Sequence, residues 1–338
     1  MRLLPILAVF LASCAGVPRV AEYLNPVLDR EFADPAVLRA PDGAFYVYGT
    51  QAGTGSVMLN IQVARSLDLV RWEHLGDALL QKAPWAAAKQ HYWAPHVLYD
   101  AERKRYYLYY SAEPDSARGK CLAVATAEAP AGPFIDSGQP LLCGEGIEHI
   151  DPMAFDEPRS GARLLFWGSG SRPIRARELA PDRISFLPGS AAVEVARPDP
   201  ESPYGTLIEA AWIIYRDGWY FLFYSGDRCC SRDPRYAVMV ARSRNALGPF
   251  EPHAGPILRR NGTWLAPGHS SIATDDAGDD WIVYHAIHAE TAERDKRAGG
   301  EGRTRVMMLD RVEYRDGWPR IANGEPSVTP RRAPVLRR

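Results

Sequence analysis

The amino-acid sequence predicts an all-β protein folded as a five-bladed β-propeller. A short aromatic strand pattern recurs five times, as FYVYGT at 45–50, YYLYYS at 106–111, LLFWGS at 164–169, YFLFYS at 220–225 and WIVYHA at 281–286. The starts of these strands are 56 to 61 residues apart, an interval typical of repeat arrays. A β-sandwich would not keep such a period, so a closed ring of blades is favoured.

Each repeat unit divides into four strand-like pieces separated by turn signals. In chain order the pieces read ADPAVLRA, FYVYGT, IQVARSL and VRWEHLG; HVLYD, YYLYYSA, LAVATAE and GPFID; DPMAFDE, LLFWGS, IRARELA and ISFLPG; LIEAAWIIY, YFLFYSG, AVMVARS and GPFEP; HSSIATD, WIVYHA, VMMLDRV and WPRIA. Turns such as Asp42-Gly43 and Asp217-Gly218, flanked by aromatic residues, are hairpin signals. Segment 287–304 lacks strand character, and we predict a solvated surface loop there, inside the fifth blade.

The first residues predict an export signal. A minimal basic start is followed by the apolar run LLPILAVFLAS, which is too short to span a membrane as a helix. The stretch Leu11-Ala12-Ser13-Cys14 resembles a bacterial lipobox, whose cysteine becomes the lipidated first residue; an ordinary cleavage site is the alternative. We therefore predict a lipoprotein-type signal peptide at 1–13, a linker at 14–24, the propeller at 25–325 and a C-terminal tail at 326–338. The protein would be lipid-anchored in the bacterial envelope, or otherwise secreted.

Charge and cysteine content narrow the possible partners. The net charge is −1, with 40 basic and 41 acidic residues intermixed, which gives no electrostatic case for binding nucleic acid or a membrane surface. Apart from Cys14, the chain has four cysteines, an even number suited to an oxidising compartment. Cys121 and Cys143 lie in one repeat and could bridge, and the adjacent Cys229 and Cys230 could form a vicinal disulfide. Because no C-x-x-C pair is present, the cysteines do not predict a metal site.

Candidate catalytic residues occupy matching points of the repeat, eleven to thirteen residues before each aromatic strand. These are Asp34, Ala94, Asp151, Glu209 and His269. The first strand of a propeller blade lines the central channel, so we expect all five positions at one mouth of the channel. Two carboxylates there, one protonated and one ionised, are the minimal equipment for glycoside hydrolysis.

Glu209 is the most informative of these residues because it interrupts an apolar run typical of a buried strand. Burial raises the pKa of a carboxyl group, which suits a general acid; a structural glutamate bonded to a turn is the alternative. Asp34 and Asp151 each precede proline, which is common at turns, but their shared position in the repeat favours a functional role. His269 could bind sugar or a channel metal, or be a structural histidine.

Six motifs in chain order resemble those of glycoside hydrolase family 43. They read ADPAVL, YWAPHVLYD, IDPMAF, LIEAAWIIYRDGWYFLFYSGDRCC, GHSSIATDDAGDDWIVYHA and RVEYRDGWP, and they extend from about Asn25 to Pro319. Members of that family are five-bladed propellers that cleave arabinose- or xylose-containing plant polysaccharides with inversion of configuration. The resemblance thus implies the same fold and the same class of polymeric or oligomeric substrate.

The resemblance also implies individual roles. Asp34 would be the general base that activates water, Glu209 the general acid on the leaving oxygen, and Asp151 the residue that positions Glu209 and tunes its pKa. No cofactor is implied for the reaction itself. A calcium or other cation in the channel near His269 is implied, with water completing its shell.

Substrate contacts are assigned to Trp93, Trp212 and Arg305. Trp93 would stack on sugar, with core packing as the alternative. Arabinan-cleaving members often have His before the base aspartate and Asp after the WAP motif, where this sequence has Ala33 and His96. The leading prediction is an arabinan endo-1,5-α-L-arabinosidase or an α-L-arabinofuranosidase, and a β-xylosidase remains open. A non-catalytic sugar-binding propeller is disfavoured, because a binding module has no need of three carboxylates in register.

Overall fold

The computed structural model describes residues 21–54, 57–88, 91–168, 170–231 and 233–337. The predicted signal peptide, Cys14 and most of the predicted linker lie outside these residues. Within the described part of the chain, no helix is both long and apolar enough to cross a membrane.

The described residues form five antiparallel four-stranded blades, which confirms the predicted propeller. In each blade the strands pair in chain order. The blades comprise Ala36–Arg39, Phe45–Gly49, Gln62–Ser66 and Glu73–Asp77; Trp93–Asp100, Arg105–Ala112, Cys121–Ala127 and Ile135–Asp136; Met153–Asp156, Arg163–Trp167, Ile174–Glu178 and Val193–Ala196; Ile208–Arg216, Trp219–Arg228, Arg235–Ser243 and Glu251–Pro252; Trp264–Thr274, Asp280–His288, Val306–Arg315 and Trp318–Ile321. Each first strand contacts the first strands of both neighbouring blades, so these strands form a closed inner ring.

Shorter elements decorate the blades. A hairpin of Ala52–Thr54 and Val57–Leu59 follows the second strand of blade 1, and Leu142–Cys143 adds a strand to blade 2. Two 3₁₀ turns, Pro84–Ala86 and Ala322–Gly324, lie in connections.

The aromatic second strands are buried on both faces, which explains their nearly continuous apolar character. In blade 2, Tyr106, Leu108 and Tyr110 pack against blade 1, whereas Tyr107 and Tyr109 pack against blade 3. Equivalent apolar clusters fill the other three interfaces between neighbouring blades. Since burying one such side chain contributes about 1.5–3 kcal/mol, this alternation stabilises each pair of neighbouring blades.

The two ends of the described chain join the fold at blade 5. Glu22–Tyr23 pairs with Arg331–Arg332, and the backbone N–H of Val27 donates to Met307 O at 2.9 Å. Residues of the predicted linker and of the predicted tail therefore pair with each other in a separate two-stranded sheet, outside the predicted propeller bounds of 25–325. This pairing joins residues about 310 positions apart, and a two-residue strand has no periodicity from which it could be predicted.

Two features differ from, or complete, the sequence-based expectations. The segment predicted as a loop in blade 5 contains a helix, α1, at Ala289–Arg297, with Glu290 in its first turn and three basic residues in its last. Those charges favour a helix because they complement its dipole. Disulfides join Cys121 to Cys143 and Cys229 to Cys230, the two pairings that the sequence left open.

Candidate active site

In every blade, a residue in or just before the first strand has a left-handed backbone conformation at the same end of the channel. These residues are Asp34 (φ 57°), Ala94 (φ 47°), Asp151 (φ 54°), Ala210 (φ 60°) and His269 (φ 49°). Register shifts in blades 2, 4 and 5 show that the strand is bulged there. Such conformations are uncommon outside glycine and often occur beside active sites, where they redirect side chains.

This geometry corrects the register of blade 4. The residue equivalent to Asp34 and Asp151 is Ala210, and Glu209 precedes it by one position. The sequence spacing missed this because a bulge adds a residue without changing the apolar pattern around it. Glu209 therefore enters the site from a different backbone position than the two aspartates.

Each of these five residues is held by the preceding blade in the ring. Its backbone N–H donates to a side chain there, in the pairs Asp34 to His285 Nδ1 (3.2 Å), Ala94 to Thr50 Oγ1 (2.8 Å), Asp151 to Ser111 Oγ (3.1 Å), Ala210 to Asp151 Oδ2 (2.9 Å) and His269 to Ser225 Oγ (2.8 Å). These five bonds thus join each blade to the next where the candidate residues meet.

Asp34 is buried beside a hydroxyl group, two histidines and a cation. Thr50 donates to its Oδ2 at 2.5 Å, and Oδ1 lies 3.3 Å from Nδ1 of both His269 and His285 and 3.5 Å from Nη1 of Arg305. Burial raises the pKa of Asp34, but His269, Arg305 and His285 outweigh it and hold the pKa well below the usual value. Asp34 is therefore ionised at neutral pH.

The two histidines beside Asp34 are neutral at neutral pH. Burial lowers the pKa of His269 to about 4 despite the nearby Asp34 carboxylate, and burial also lowers the pKa of His285. Of the groups that contact Asp34, Arg305 is the one that carries a positive charge in this range. Arg305 in turn contacts Glu31, whose Oε2 accepts its backbone N–H at 2.7 Å and whose Oε1 lies 3.4 Å from its Nε.

Glu209 has the opposite electrostatic character. Its Oε1 accepts a hydrogen bond from the Tyr236 hydroxyl at 2.7 Å, and its side chain is buried. Burial raises the pKa of Glu209 to about 7, although the Tyr236 hydrogen bond acts in the other direction. A carboxyl group with such a pKa is about half protonated at neutral pH and can donate the proton.

Asp151 belongs to blade 3, next to the blade that carries Glu209, and the ionisation of each carboxyl group affects that of the other. Its Oδ2 accepts the N–H of Ala210, the residue next to Glu209, so it braces the bulge that presents Glu209. Burial, followed by the charges of Glu209 and Asp34, raises the pKa of Asp151 well above the usual value. Asp151 and Glu209 consequently titrate as a pair that resists double ionisation.

The predicted sugar contacts fall in different places. The ring of Trp93 is half-buried, with the Lys120 ammonium 3.3 Å from its centroid and His91 stacked on it at 5.7 Å. Trp212 lies in the channel lining, edge-on to His96 at 5.2 Å. Arg305 is at the mouth beside Asp34.

Several site residues were not predicted from the sequence. Thr50, Ser111 and Ser225 are the last residues of three aromatic repeats, so the recurrence of a hydroxyl at that position was a readable signal. His285 and Tyr236 had no such signal, because their importance depends on contacts with Asp34 and Glu209 across the ring.

The predicted channel cation has no evident ligand set. Within the described residues, no group of three or more His, Cys, Asp or Glu side chains could hold a metal ion. The small channel cavity at these positions has a volume of about 10 Å³; its lining consists mostly of prolines, alanines and histidines, and Asp151 is the one carboxylate among the described lining residues. Since calcium takes six to eight oxygen ligands, these residues do not fit it, and no step of the reaction is assigned to a metal.

Comparison with known proteins decides the family. The family model for glycosyl hydrolases family 43 matches residues 23–319, nearly the whole described chain.

The chain belongs to glycosyl hydrolase family 43.

The family 43 chain has relatives with several named activities. It is 30% identical to a β-D-galactofuranosidase from Aspergillus niger, over 86% of this chain and 82% of the relative. It is 27% identical to an arabinan endo-1,5-α-L-arabinosidase from Emericella nidulans, over 89% and 96%. An extracellular exo-α-(1→5)-L-arabinofuranosidase from Cellvibrio japonicus shares 24% identity, over 95% and 92%. The predictions of this family and of a glycoside hydrolase are therefore confirmed.

A solved structure supports the same fold. The structure of a thermostable family 43 glycoside hydrolase superimposes with a TM-score of 0.75, at 24% identity, and the match covers 93% of this chain and 100% of that chain. The family 43 chain thus shares the propeller architecture over its described length.

Proposed function

We propose that this chain is an inverting hydrolase of α-L-arabinofuranosyl linkages in arabinan or in other arabinose-containing polysaccharides. The observation that carries the proposal is the pair of buried carboxyl groups with opposite pKa shifts at one channel mouth. Asp34 is held ionised by its neighbours, and Glu209 keeps a proton near neutral pH. Inverting glycosidases need one carboxylate of each kind.

In the proposed reaction, Asp34 removes a proton from the water that attacks the anomeric carbon. Glu209 donates its proton to the glycosidic oxygen as the bond to the leaving group breaks. Asp151 holds the bulge that carries Glu209, and because the two carboxyl groups resist joint ionisation, the pair retains a proton. Arg305 keeps Asp34 ionised and, since it lies at the mouth, would also contact the sugar; Trp93 and Trp212 remain proposed sugar contacts.

The preference for arabinose rests on the kind of sugar ring that the relatives' names share. Arabinofuranosides and galactofuranosides are both five-membered furanose rings, whereas a xyloside in plant polysaccharides is a six-membered ring. Two relatives are named for furanoside cleavage and a third for arabinan cleavage, and these names support a pocket shaped for a furanose. A β-xylosidase is the alternative, because Ala33 and His96 depart from the arabinan-cleaving pattern.

A direct test of the acid role is Glu209→Gln, assayed on linear arabinan and on a nitrophenyl arabinofuranoside. General acid catalysis contributes about 10²–10⁴-fold, so the rate on arabinan should fall by that factor. The loss on the nitrophenyl substrate should be smaller, because nitrophenolate departs without a proton. Unchanged arabinan hydrolysis would refute the role of Glu209.

A matched control is Glu157→Gln. Glu157 is a buried glutamate that accepts a hydrogen bond from a buried tyrosine, Tyr220, at the end of the blades away from the mouth. This control should retain wild-type rates on both substrates. If the wild-type protein cleaves xylosides and not arabinosides, it is the alternative, a β-xylosidase.

The mode of cleavage is tested by the products. Oligosaccharides released early from linear arabinan would identify an endo-acting enzyme, and arabinose alone would identify an exo-acting one.

We also propose that, after export, the chain is anchored to the membrane through lipid on Cys14. Mass spectrometry of the mature N-terminus, with Cys14→Ser as the control, distinguishes this from simple secretion.

A further inference from the structure

Tyr236 contacts the candidate general acid directly. It is the second residue of Arg235–Ser243, the third strand of blade 4, and its side chain is 1% exposed. Its hydroxyl donates to Oε1 of Glu209 at 2.7 Å. This contact occupies one carboxyl oxygen and leaves Oε2 as the oxygen that can carry a proton toward a substrate.

The Tyr236 ring is held on two sides. It stacks nearly parallel on His285, with ring centroids 5.9 Å apart and 10° between the planes. Gly268 lies against its edge so closely that a Cβ there would be 2.2 Å from Cδ1 of the ring. Only glycine leaves room for the ring at this point, so Gly268 and His285 of blade 5 confine the ring that carries the hydroxyl.

The same stack reaches the candidate base. Nδ1 of His285 lies 3.3 Å from Oδ1 of Asp34 and accepts the Asp34 N–H at 3.2 Å. Tyr236, His285 and Asp34 thus form a packed path between the two carboxyl groups, running across blades 4, 5 and 1. Burial, followed by the charge of Glu209, raises the pKa of Tyr236 well above its usual value, so its hydroxyl remains a donor.

We propose that Tyr236 is a positioning residue for Glu209, which fixes the carboxyl group so that Oε2 faces the glycosidic oxygen, and that Gly268 provides the space this requires. The inference rests on the proposed role of Glu209 as general acid. Tyr236 acts through Glu209 and contacts neither the attacking water nor the sugar. A hydrogen bond from a tyrosine also stabilises the ionised form of Glu209, so it limits how far burial can raise the pKa.

The test is Tyr236→Phe, which removes the hydroxyl and keeps the ring. We expect kcat/KM on linear arabinan to fall by about 10- to 100-fold, as misplacement of a catalytic group does. On a nitrophenyl arabinofuranoside, which does not need the acid, we expect a fall of about threefold or less. The basic limb of the pH profile on arabinan should move up by about one unit, because the lost hydrogen bond favoured ionised Glu209.

The matched control is Tyr220→Phe. Tyr220 is a buried tyrosine that donates to the Glu157 carboxylate. It lies in the strand Trp219–Arg228, five residues and about 17 Å before Ser225, the residue of that strand that contacts His269 at the mouth. This variant should leave both substrates and the basic limb unchanged. Gly268→Ala provides an independent variant, because its methyl group displaces the Tyr236 ring; it should reproduce the selective loss on arabinan.

Equal losses on the two substrates, or an unmoved basic limb in folded Tyr236→Phe, would overturn the inference. If Tyr236→Phe does not fold, the same readouts on Gly268→Ala decide the question. Failure of the proposed function gives a different result, in which Glu209→Gln keeps its arabinan activity. If the wild type cleaves only xylosides, the comparison is made between xylobiose and a nitrophenyl xyloside.

Discussion

Asp34 in blade 1 and Asp151 in blade 3 share a backbone position but differ in electrostatic character. Both precede proline, both have φ near 55°, and both receive support at their N–H from the preceding blade. Yet the pKa of Asp34 is well below the usual value and that of Asp151 is well above it. Identical local structure therefore does not determine the protonation state of a carboxyl group.

The difference comes from what each neighbouring blade contributes. Blade 5 surrounds Asp34 with Arg305 and two histidines, whereas blade 4 places Glu209 beside Asp151. Lys120 partly offsets the repulsion at Asp151 but does not reverse it. The repeat sets where a carboxyl group lies, and the partners from adjacent blades decide whether it is an acid or a base.

The largest effect should follow Asp34→Asn. An amide cannot accept the proton of the attacking water, so kcat should fall by about 10³-fold or more. The loss should be the same on arabinan and on nitrophenyl arabinofuranoside, because both need the base. Steady-state rates on the two substrates check this. A larger loss on arabinan than on the aryl substrate would mean that Asp34 serves the leaving group instead.

Asp151→Asn should have a smaller effect of a different kind. Asp151 and Glu209 resist joint ionisation, so removing one member of the pair makes loss of the last proton easier, and the basic limb of the pH profile should move to lower pH. We expect the rate at the optimum to fall by about 10²-fold, because the amide holds the Ala210 bulge less firmly. A pH profile of kcat/KM on arabinan measures both. A basic limb that stays in place would separate Asp151 from the acid.

Arg305→Gln should make Asp34 resemble Asp151. Without the guanidinium, the pKa of Asp34 rises, and the acid limb should move up by about one unit, a typical effect of a nearby opposite charge. Activity is then lost at a higher pH as the solution is acidified, since the base must be ionised. The control is Arg311→Gln, whose partner Asp279 is a half-exposed surface residue. An unmoved acid limb would show that the histidines alone hold Asp34 ionised.

The smallest effects should appear in stability, with opposite signs for the two aspartates. The pKa of Asp34 is lowered by folding, so its ionised form stabilises the protein above its unfolded pKa, and Asp34→Asn should lower Tm at pH 7. The pKa of Asp151 is raised by folding, so ionisation of Asp151 destabilises the folded protein increasingly as the pH rises toward the folded-state pKa. Asp151→Asn removes this effect and should therefore raise Tm at pH 8 more than at pH 5. Thermal melts at both pH values test the signs. Equal changes for the two variants would contradict the comparison.

Much of the fold could be predicted because its signal is local. Each aromatic second strand is buried between two blades, and that burial is written into five stretches of consecutive residues. The same repeat period placed Asp34 and Asp151 at equivalent positions. Glu209 was indicated by a second local signal, the apolar run that it interrupts. The boundary near Glu22–Tyr23 was missed because its partner strand lies at the far end of the chain.

The sequence by itself determined the number of blades, the mouth at which the carboxyl groups gather and the family. Only the tertiary structure decided that Ala210, and not Glu209, takes the equivalent bulge position, that His285 and Arg305 surround Asp34, and that Tyr236 holds Glu209. The physical reason is distance along the chain. Strand periodicity comes from neighbouring residues, whereas these contacts join different blades or strands, and their strength depends on burial and charge that exist only after the ring closes.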